Sequence, residues 1–350
     1  MVTPDPSTFV HIVGLSKVYD PGCHCAFTDI IHWRGRVWLT FREALNHSIH
    51  PSSQIVVMAS ANHGHSFDVL ARIAARGLDV RDPHFYIVDD RLHLTMPCWK
   101  NPPADSKTGA RTSILARSDD GHHWDVHREI DLFETLAVWR PAKHPTEDAW
   151  YAAAYCDFNE DQGCVKLLKT RDGLAWQEVS IIESRHFPNE TELCFLADGS
   201  LLALVRREEA QGVPLVAKAR PPYTQWTKVE CDRWFKGPLL TNLGDGRLLA
   251  VGRVNKDEQH QHHVTRLHAL DPETGKLHPG LTLESGNDCS YAGFIRLPAE
   301  AIGGHAGGHN ALLSYYSGHG SDAGAYRGGD FPQRCAIYVA RLVITCIPGF

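Results

Sequence analysis

The sequence has no apolar run of eighteen residues and no basic leader followed by an apolar segment at Met1, so a soluble cytoplasmic protein is expected. It lacks an excess of positive charge. Its 35 Lys and Arg stand against 41 Asp and Glu, a formal net charge of -6, which argues against a nucleic-acid or membrane surface as the main partner. It also lacks a cysteine framework. The ten cysteines are scattered, mostly inside apolar strand-like runs such as ELCFL and RCAIYVARL, and read as reduced, buried thiols. Cys23-His24-Cys25 has no second Cys/His pair at ligand spacing, and His260-Gln261-His262-His263 reads as a solvated loop, so no metal and no cofactor is expected. Almost no segment carries a helical period.

What the chain does have is repetition. Its 350 residues, 43% of them hydrophobic, suffice for a substantial core, as two average domains or one large β domain. The stretch RSDDGHHWDV, Arg117 to Val126, holds the residue types of an active site. Fifty-two residues later it returns as KTRDGLAWQEV without the histidines: Ser118, Asp120, Gly121 and Trp124 recur as Thr170, Asp172, Gly173 and Trp176. A catalytic constellation is rarely duplicated, whereas a structural unit often is.

The repeat extends further. Strand-like runs leading into a turn appear as QIVVMASANHGHSF, TSILARSDDGHHW, CVKLLKTRDGLAW, VPLVAKARPPYTQW, HVTRLHALDPETGKL and CAIYVARLVI, the turn being degenerate or absent in the later copies. Each is preceded by an alternating run, as in RGRVWLTFRE or DGSLLALVRRE, and that run by a third, as in CAFTDIIHW or NETELCFLA. Period-two alternation with Asp-Gly and Gly-Arg turns indicates antiparallel hairpins. Six such units, about fifty residues apart, predict an all-β fold: a six-bladed β-propeller of four-stranded antiparallel blades, one domain over residues 1–350. FVHIVGLSKVY is expected to supply the outer strand of the last blade and close the ring.

The Asp-containing hairpin turn with its trailing tryptophan resembles the Asp-box, or BNR repeat, of the sialidase (neuraminidase) superfamily. That resemblance implies a six-bladed propeller with these turns at the blade periphery. Asp120 and Asp172 are then expected to bond their own turn backbone, with Trp124 and Trp176 packing between strands and His122 and His123 on the surface.

In an antiparallel blade, the start of the innermost strand and the end of the second strand lie on one face, so such positions from all six blades converge on the axis. Arg42, Arg81, Arg140, Arg206 and Arg253 each come from a different blade, and their convergence implies an anionic ligand, unless each pairs with a neighbour, as Arg42 with Glu43 or Arg81 with Asp82. His84, Trp99 and Tyr316 fall at the same face as further candidate ligand contacts. NETELCFLADGSLLALVRRE resembles the superfamily's pattern of a glutamate, an Asp-Gly turn and an arginine, filled here by Glu190, Asp198 and Arg206. GRLLAVGR puts Arg253 where the superfamily has a carboxylate-binding arginine, and CSYAGF puts Tyr291 where it has its nucleophilic tyrosine. The resemblance implies that Glu190 takes the proton of Tyr291 as the phenol attacks an anomeric carbon.

The first blade departs from the pattern. Where the superfamily has an Arg-Ile-Pro sequence, this chain has HCAFTDI, and where it has an acid/base aspartate, this chain has REALNHSIHP, with Glu43, His47 and His50 as titratable groups. Glu43, His47 and Asp82 are therefore the candidates for the acid. Three readings stand: an exo-glycoside hydrolase of sialidase type acting on an acidic glycoside or oligosaccharide, a uronate-directed lyase using a Tyr/His pair, and a sugar-binding propeller without catalysis.

Overall fold

A computed structural model describes residues 9–49, 51–100, 111–127, 135–156, 163–244, 246–256, 262–286, 288–297, 309–319 and 334–345. Its strands form six antiparallel sheets arranged as a propeller. Blade 1 is β2 (His24–Trp33), β3 (Arg36–Ala44), β4 (Gln54–Ser60) and β5 (Asp68–Ile73). Blade 2 has a broken inner strand, β6 (Leu78–Val80) and β7 (His84–Val88), followed by β8 (Arg91–Lys100), β9 (Arg111–Ser118) and β10 (Asp125–His127). Blade 3 repeats the break with β11 (Leu136–Val138) and β12 (Ala142–Lys143), then β13 (Trp150–Cys156), β14 (Val165–Thr170) and β15 (Trp176–Glu183). Both breaks surround a proline, Pro83 and Pro141, which has no N–H to give to the ladder.

Blade 4 is β16 (Pro188–Phe195), β17 (Leu201–Arg207), β18 (Leu215–Ala219) and β19 (Thr227–Glu230), and blade 5 is β20 (Lys236–Asn242), β21 (Leu248–Asn255), β22 (His263–Leu270) and β23 (Leu277–Thr282). Blade 6 is β24 (Cys289–Leu297), β25 (His309–Ser317), β26 (Ala336–Ile344) and, from the other end of the chain, β1 (Val10–Tyr19), which pairs with β26 and closes the ring as expected.

The core is divided among the blade interfaces. Six apolar clusters each join two neighbouring blades, as Leu239, Leu249 and Leu267 of blade 5 pack with Leu313, Tyr315 and Leu342 of blade 6. Middle strands are thereby covered on both faces, which is why runs such as VWLTF and LLALV are buried throughout, whereas the outer strands β5, β10 and β19 keep exposed polar positions.

The repeated turns lock one blade to the previous one. Asp120 Oδ1 accepts the N–H groups of His122 and His123, each at 2.8 Å, while Ser118 Oγ accepts that of Gly121 at 2.7 Å. In the second copy Asp172 Oδ1 accepts the N–H of Leu174 at 2.9 Å and of Ala175 at 2.7 Å. Asn62 does the same work in the first blade, accepting the Ser66 N–H at 3.0 Å. His122 and His123 are exposed and remote from the axis. Gly121 has φ +77, and a Cβ there would stand 1.9 Å from the Trp38 ring of blade 1. Gly173 meets Val88 of blade 2, and Gly64 meets Leu312 of blade 6, in the same way. The glycine serves both the left-handed turn and the close approach of the preceding blade.

Candidate functional site

The inner strands bend where they reach one mouth of the propeller. Their ladders slip between Ala26 and Asp29, Pro188 and Thr191, Lys236 and Leu239, and Ser290 and Gly293. At these places, and at the break in blade 2, the backbone enters the left-handed region: Phe27 (φ 61), Asp82 (39), Phe187 (48), Gly237 (58), Ser290 (89) and Tyr291 (47). Bulges re-aim side chains, and each left-handed residue other than glycine costs roughly 1–3 kcal/mol. Strain repeated around one mouth makes this end of the axis the candidate site.

Tyr291 and Glu190 meet there. Tyr291 Oη donates to Glu190 Oε1 at 2.7 Å, and Arg206 Nη1 donates both to Tyr291 Oη at 3.0 Å and to Glu190 Oε2. The Arg253 guanidinium lies over the Tyr291 ring, 5.5 Å from its centre. Phe27 packs edge-on against that ring with centroids 5.1 Å apart. The ring also rests on Gly237, where a Cβ would come within 3.0 Å of it. Burial, reinforced by the Glu190 charge, pushes the Tyr291 phenol well above its ordinary range, so it is neutral at rest.

Asp82 shares this surround. It is 8% exposed, its Oδ1 has no hydrogen-bond partner, and burial together with the charge of Glu190 raises its carboxyl to about 7. A desolvated carboxyl near Glu190, with one oxygen lacking a partner, keeps its proton up to near neutrality and so can act as a proton donor.

A second network lies beside the first. Asp288 Oδ2 is 2.6 Å from His47 Nδ1 and 3.0 Å from His24 Nε2, and its Oδ1 accepts from Tyr316 Oη at 2.6 Å and from Arg253 Nη2 at 3.0 Å. Burial opposes it, but the hydrogen bonds with His24 and His47 and the Arg253 charge hold the Asp288 carboxyl far below its usual range. His24, His47 and Asp288 present three atoms within 4.8 Å of one another, a donor set that can hold a metal ion. The tautomer speaks against a ligand role for His24. Arg42 Nη1 faces His24 Nδ1 at 3.4 Å, so that nitrogen accepts and Nε2 carries the proton toward Asp288. Burial lowers His24 to about 4, in keeping with a neutral ring. Cys23, Cys25 and Glu43 form the other such group, but Glu43 is already held by Arg72 at 2.7 Å and Gln54 at 2.6 Å.

The arginines converge as expected, yet they are paired. Arg42 is fully buried and donates to Asp79 Oδ1 through Nε at 3.0 Å and Nη2 at 2.8 Å, and Arg81 Nε takes the other oxygen at 2.6 Å. Neither the Arg42–Glu43 nor the Arg81–Asp82 pair forms. Adjacent residues of a strand point to opposite faces: Arg42 turns toward Asp79 of blade 2, and Glu43 toward Tyr19 and Arg72, away from the axis. Glu43 therefore leaves the group of candidate acids, and Arg42, fully buried, offers no exposed face to a ligand.

Arg140 is bonded to Glu192 at 2.6 Å, to Asp29 at 3.3 Å and to the Ala292 carbonyl at 3.1 Å. His84 is buried next to it against Trp139, its ring centre 4.7 Å from the indole, and burial drives it to the neutral form. Tyr316 is also fully buried, supporting Arg253 and Asp288 from below. Trp99 stands at the rim under the Arg111 guanidinium, 4.4 Å away, and Arg111 in turn covers Tyr155. His50 lies outside the described residues. Arg206, Arg253, Glu190, Tyr291, Asp82 and His47 are thus brought together, with Tyr316 holding Arg253 and Asp288 and Arg42 holding the carbonyls of Asn46 and Ser48 on either side of His47, while Arg140 and His84 pack with Glu192, Asp29 and Trp139 instead. Asp79, Glu208 and Phe27 were not singled out by sequence; Asp79 stands only two residues before Arg81 in LDVRDP, a signal that both charges belong to one turn.

These features define a six-bladed propeller with a half-buried phenol–carboxylate pair flanked by two arginines at its axial mouth. No protein-family model matches the sequence, and no curated protein matches it. Solved structures do. The phage phi92 endosialidase aligns with a TM-score of 0.64 at 10% identity, over 96% of this chain and 70% of its own. The NanB sialidase from Streptococcus pneumoniae aligns with a TM-score of 0.63 at 9% identity, over 95% and 70%. A Bombyx mori GH32 beta-fructofuranosidase, BmSUC1, aligns at 0.52 and 13% identity, over 95% and 62%. The fold is that of sialidase propellers, as the sequence motifs implied. At such identities the likeness is one of fold, and the chemistry has to be argued from the site.

Proposed function

We propose that this protein is a glycoside hydrolase of sialidase type acting on a sugar that carries a carboxylate. The observation that carries the reading is the 2.7 Å hydrogen bond from Tyr291 Oη to Glu190, bridged by Arg206. A phenol whose proton is already aimed at a carboxylate can become a nucleophile only as it attacks, so no free phenolate is needed. Tyr291 oxygen bonds to the anomeric carbon, Glu190 takes its proton, and Asp82, protonated near neutrality, gives a proton to the departing oxygen. In the second step water replaces the tyrosine under Asp82 as base, and Tyr291 recovers its proton from Glu190.

A neutral nucleophile suits an anionic sugar, because a carboxylate nucleophile would repel it. Arg206, bonded to the phenol oxygen, and Arg253, over the phenol ring, supply the cationic groups that receive the sugar carboxylate. The test is hydrolysis of sialosides and other acidic glycosides against their methyl esters. Equal rates on acid and ester would defeat the carboxylate-binding role.

The 2.6 Å contact of His47 with buried Asp288 favours a second reading, a uronate lyase in which His47 removes the C5 proton. Its product is an unsaturated uronate, absorbing in the ultraviolet and lighter by one water than the hydrolysis product. A screen of acidic oligosaccharides read by mass and absorbance separates the two.

A further inference from the structure

Two cysteines outside this chemistry face each other at the mouth-side end of blade 3. Cys156 ends β13 and Cys164 directly precedes β14, and these strands pair antiparallel. Their Sγ atoms are 3.2 Å apart. The Cys164 N–H donates to Cys156 Sγ at 3.0 Å, and the Cys156 N–H to the Cys164 carbonyl at 3.1 Å. Both are partly exposed, unlike Cys25, Cys98, Cys194, Cys231, Cys289 and Cys335, which are buried.

The two sulfurs are not equivalent. Hydrogen bonds from the Cys164 thiol and N–H, with Lys166 nearby, lower Cys156 to about 6 against the opposing effect of burial, and the same pairing raises Cys164. The backbone N–H of Cys164 donates to Cys156 Sγ, which favours the thiolate there and so places Cys156 to attack and Cys164 to resolve.

We propose that Cys156 and Cys164 form a redox-modification site, closed to a reversible disulfide by a low-molecular-weight disulfide such as oxidised glutathione. The Cys156 thiolate attacks one glutathione sulfur, the glutathione S–S bond breaks, and one glutathione thiolate leaves. Cys164 then gives up its proton and attacks the Cys156 sulfur of the mixed disulfide, expelling the second glutathione. Two protein thiols are oxidised, and one glutathione disulfide is reduced to two thiols. Bond formation asks each sulfur to move by about half an ångström.

The cross-link would fasten the end of β13 at Tyr155, which is buried beneath Arg111 and neighbours Glu190 and Asp82. Oxidation should therefore stiffen one wall of the mouth.

The test reads thiols, so it stands apart from the glycosidase reading. Folded wild-type protein is treated with oxidised glutathione, alkylated, and analysed by intact mass and peptide mapping. The expected result is loss of two hydrogens mapped to a Cys156–Cys164 linked peptide, reversed by dithiothreitol, with a melting temperature that rises on oxidation and falls again on reduction. Cys164→Ser should stop at a glutathione adduct on Cys156, and Cys156→Ser should remain unmodified at Cys164. Free Cys156 and Cys164 after treatment of folded protein, a wild-type glutathione adduct that never resolves, or a bond formed elsewhere, as between Cys23 and Cys25, would each overturn the proposal.

Discussion

Asp82→Asn is the most informative perturbation, because a group held for chemistry should tax the fold. The Asp82 carboxyl moves from 3.8 to about 7 on folding, which corresponds to about 4 kcal/mol at a pH above both values. The sign follows from proton binding. A folded-state value raised above the unfolded one means that the native protein holds the extra proton between the two, so the associated stability is complete below about 4 and is lost as pH rises through 7. Asparagine does not titrate. The variant should match wild type near pH 4, gain on it by roughly 1.4 kcal/mol per pH unit, and level off above pH 7. For 350 residues at roughly 2.1 cal/mol/K per residue, the unfolding entropy is about 0.7 kcal/mol/K, so the full gain amounts to about 6 °C. Thermal melts of both proteins from pH 4 to 8 measure the difference directly, and other titrating groups largely cancel. A difference that does not change with pH would refute the buried-acid argument. The same variant tests the catalytic role: it should turn over substrates with a poor leaving group roughly 10² to 10⁴ times more slowly, yet be far less impaired with an activated aryl leaving group that needs no proton. Equal losses on both substrates would remove Asp82 from the acid position.

Tyr291→Phe and Glu190→Gln should each lower kcat by roughly 10² to 10⁴, and the double variant by little more than the worse single one, because the two act as a unit; additive losses would separate them. Arg206→Lys keeps the charge but loses the planar fork whose Nη1 serves Glu190 and Tyr291 while Nη2 holds Glu208, so binding of an acidic sugar should weaken while binding of its methyl ester changes little. Gly237→Ala should destabilise the fold by roughly 1–2 kcal/mol through its left-handed backbone and displace the Tyr291 ring it touches, visible as a fall in kcat; a variant with native activity would show that the ring is not braced there. Asp172→Ala breaks two turn hydrogen bonds and should cost about 1–2 kcal/mol, read as a fall of a few degrees in melting temperature with unchanged turnover in the surviving protein.

The site is built on strain that its surroundings hold in place. Left-handed backbone at Asp82, Ser290 and Tyr291 persists because each lies between two blades whose apolar faces are already buried, so relaxation at the mouth would have to disturb an interface. Charge is handled in the same way. Arg206 is neutralised by Glu190 and Glu208, and Lys236 also holds Glu208; Arg253 is neutralised by Asp288. The convergence of arginines is thus compatible with a net negative chain without any ligand bound, and an acidic sugar must compete for or extend these pairs.

By itself the sequence determined the strands, the hairpin turns and the ring, because period-two alternation and the repeated Asp-Gly turn are local properties that any copy expresses alone. The closing role of β1 was legible for the same reason: one unpaired alternating run precedes the first unit. Tyr291, Glu190, Arg206 and Arg253 could be placed at the axis because strand starts and ends map onto one face. Tertiary structure alone decided the direction of each side chain and its partner. Adjacent residues of a strand point to opposite faces, so Arg42 and Glu43, neighbours in sequence, part toward Asp79 and Arg72, partners that only the packed blades supply. Asp79 could not be matched to two arginines, nor Asp288 to His24 and His47 from the other end of the chain, because the first needs blade 2 packed against blade 1 and the second needs the ring to bring blade 6 against blade 1. The elevated carboxyl of Asp82 belongs to the same class: its proton is held by burial and by the charge of Glu190, a residue of blade 4, and neither is a property of the stretch RDP.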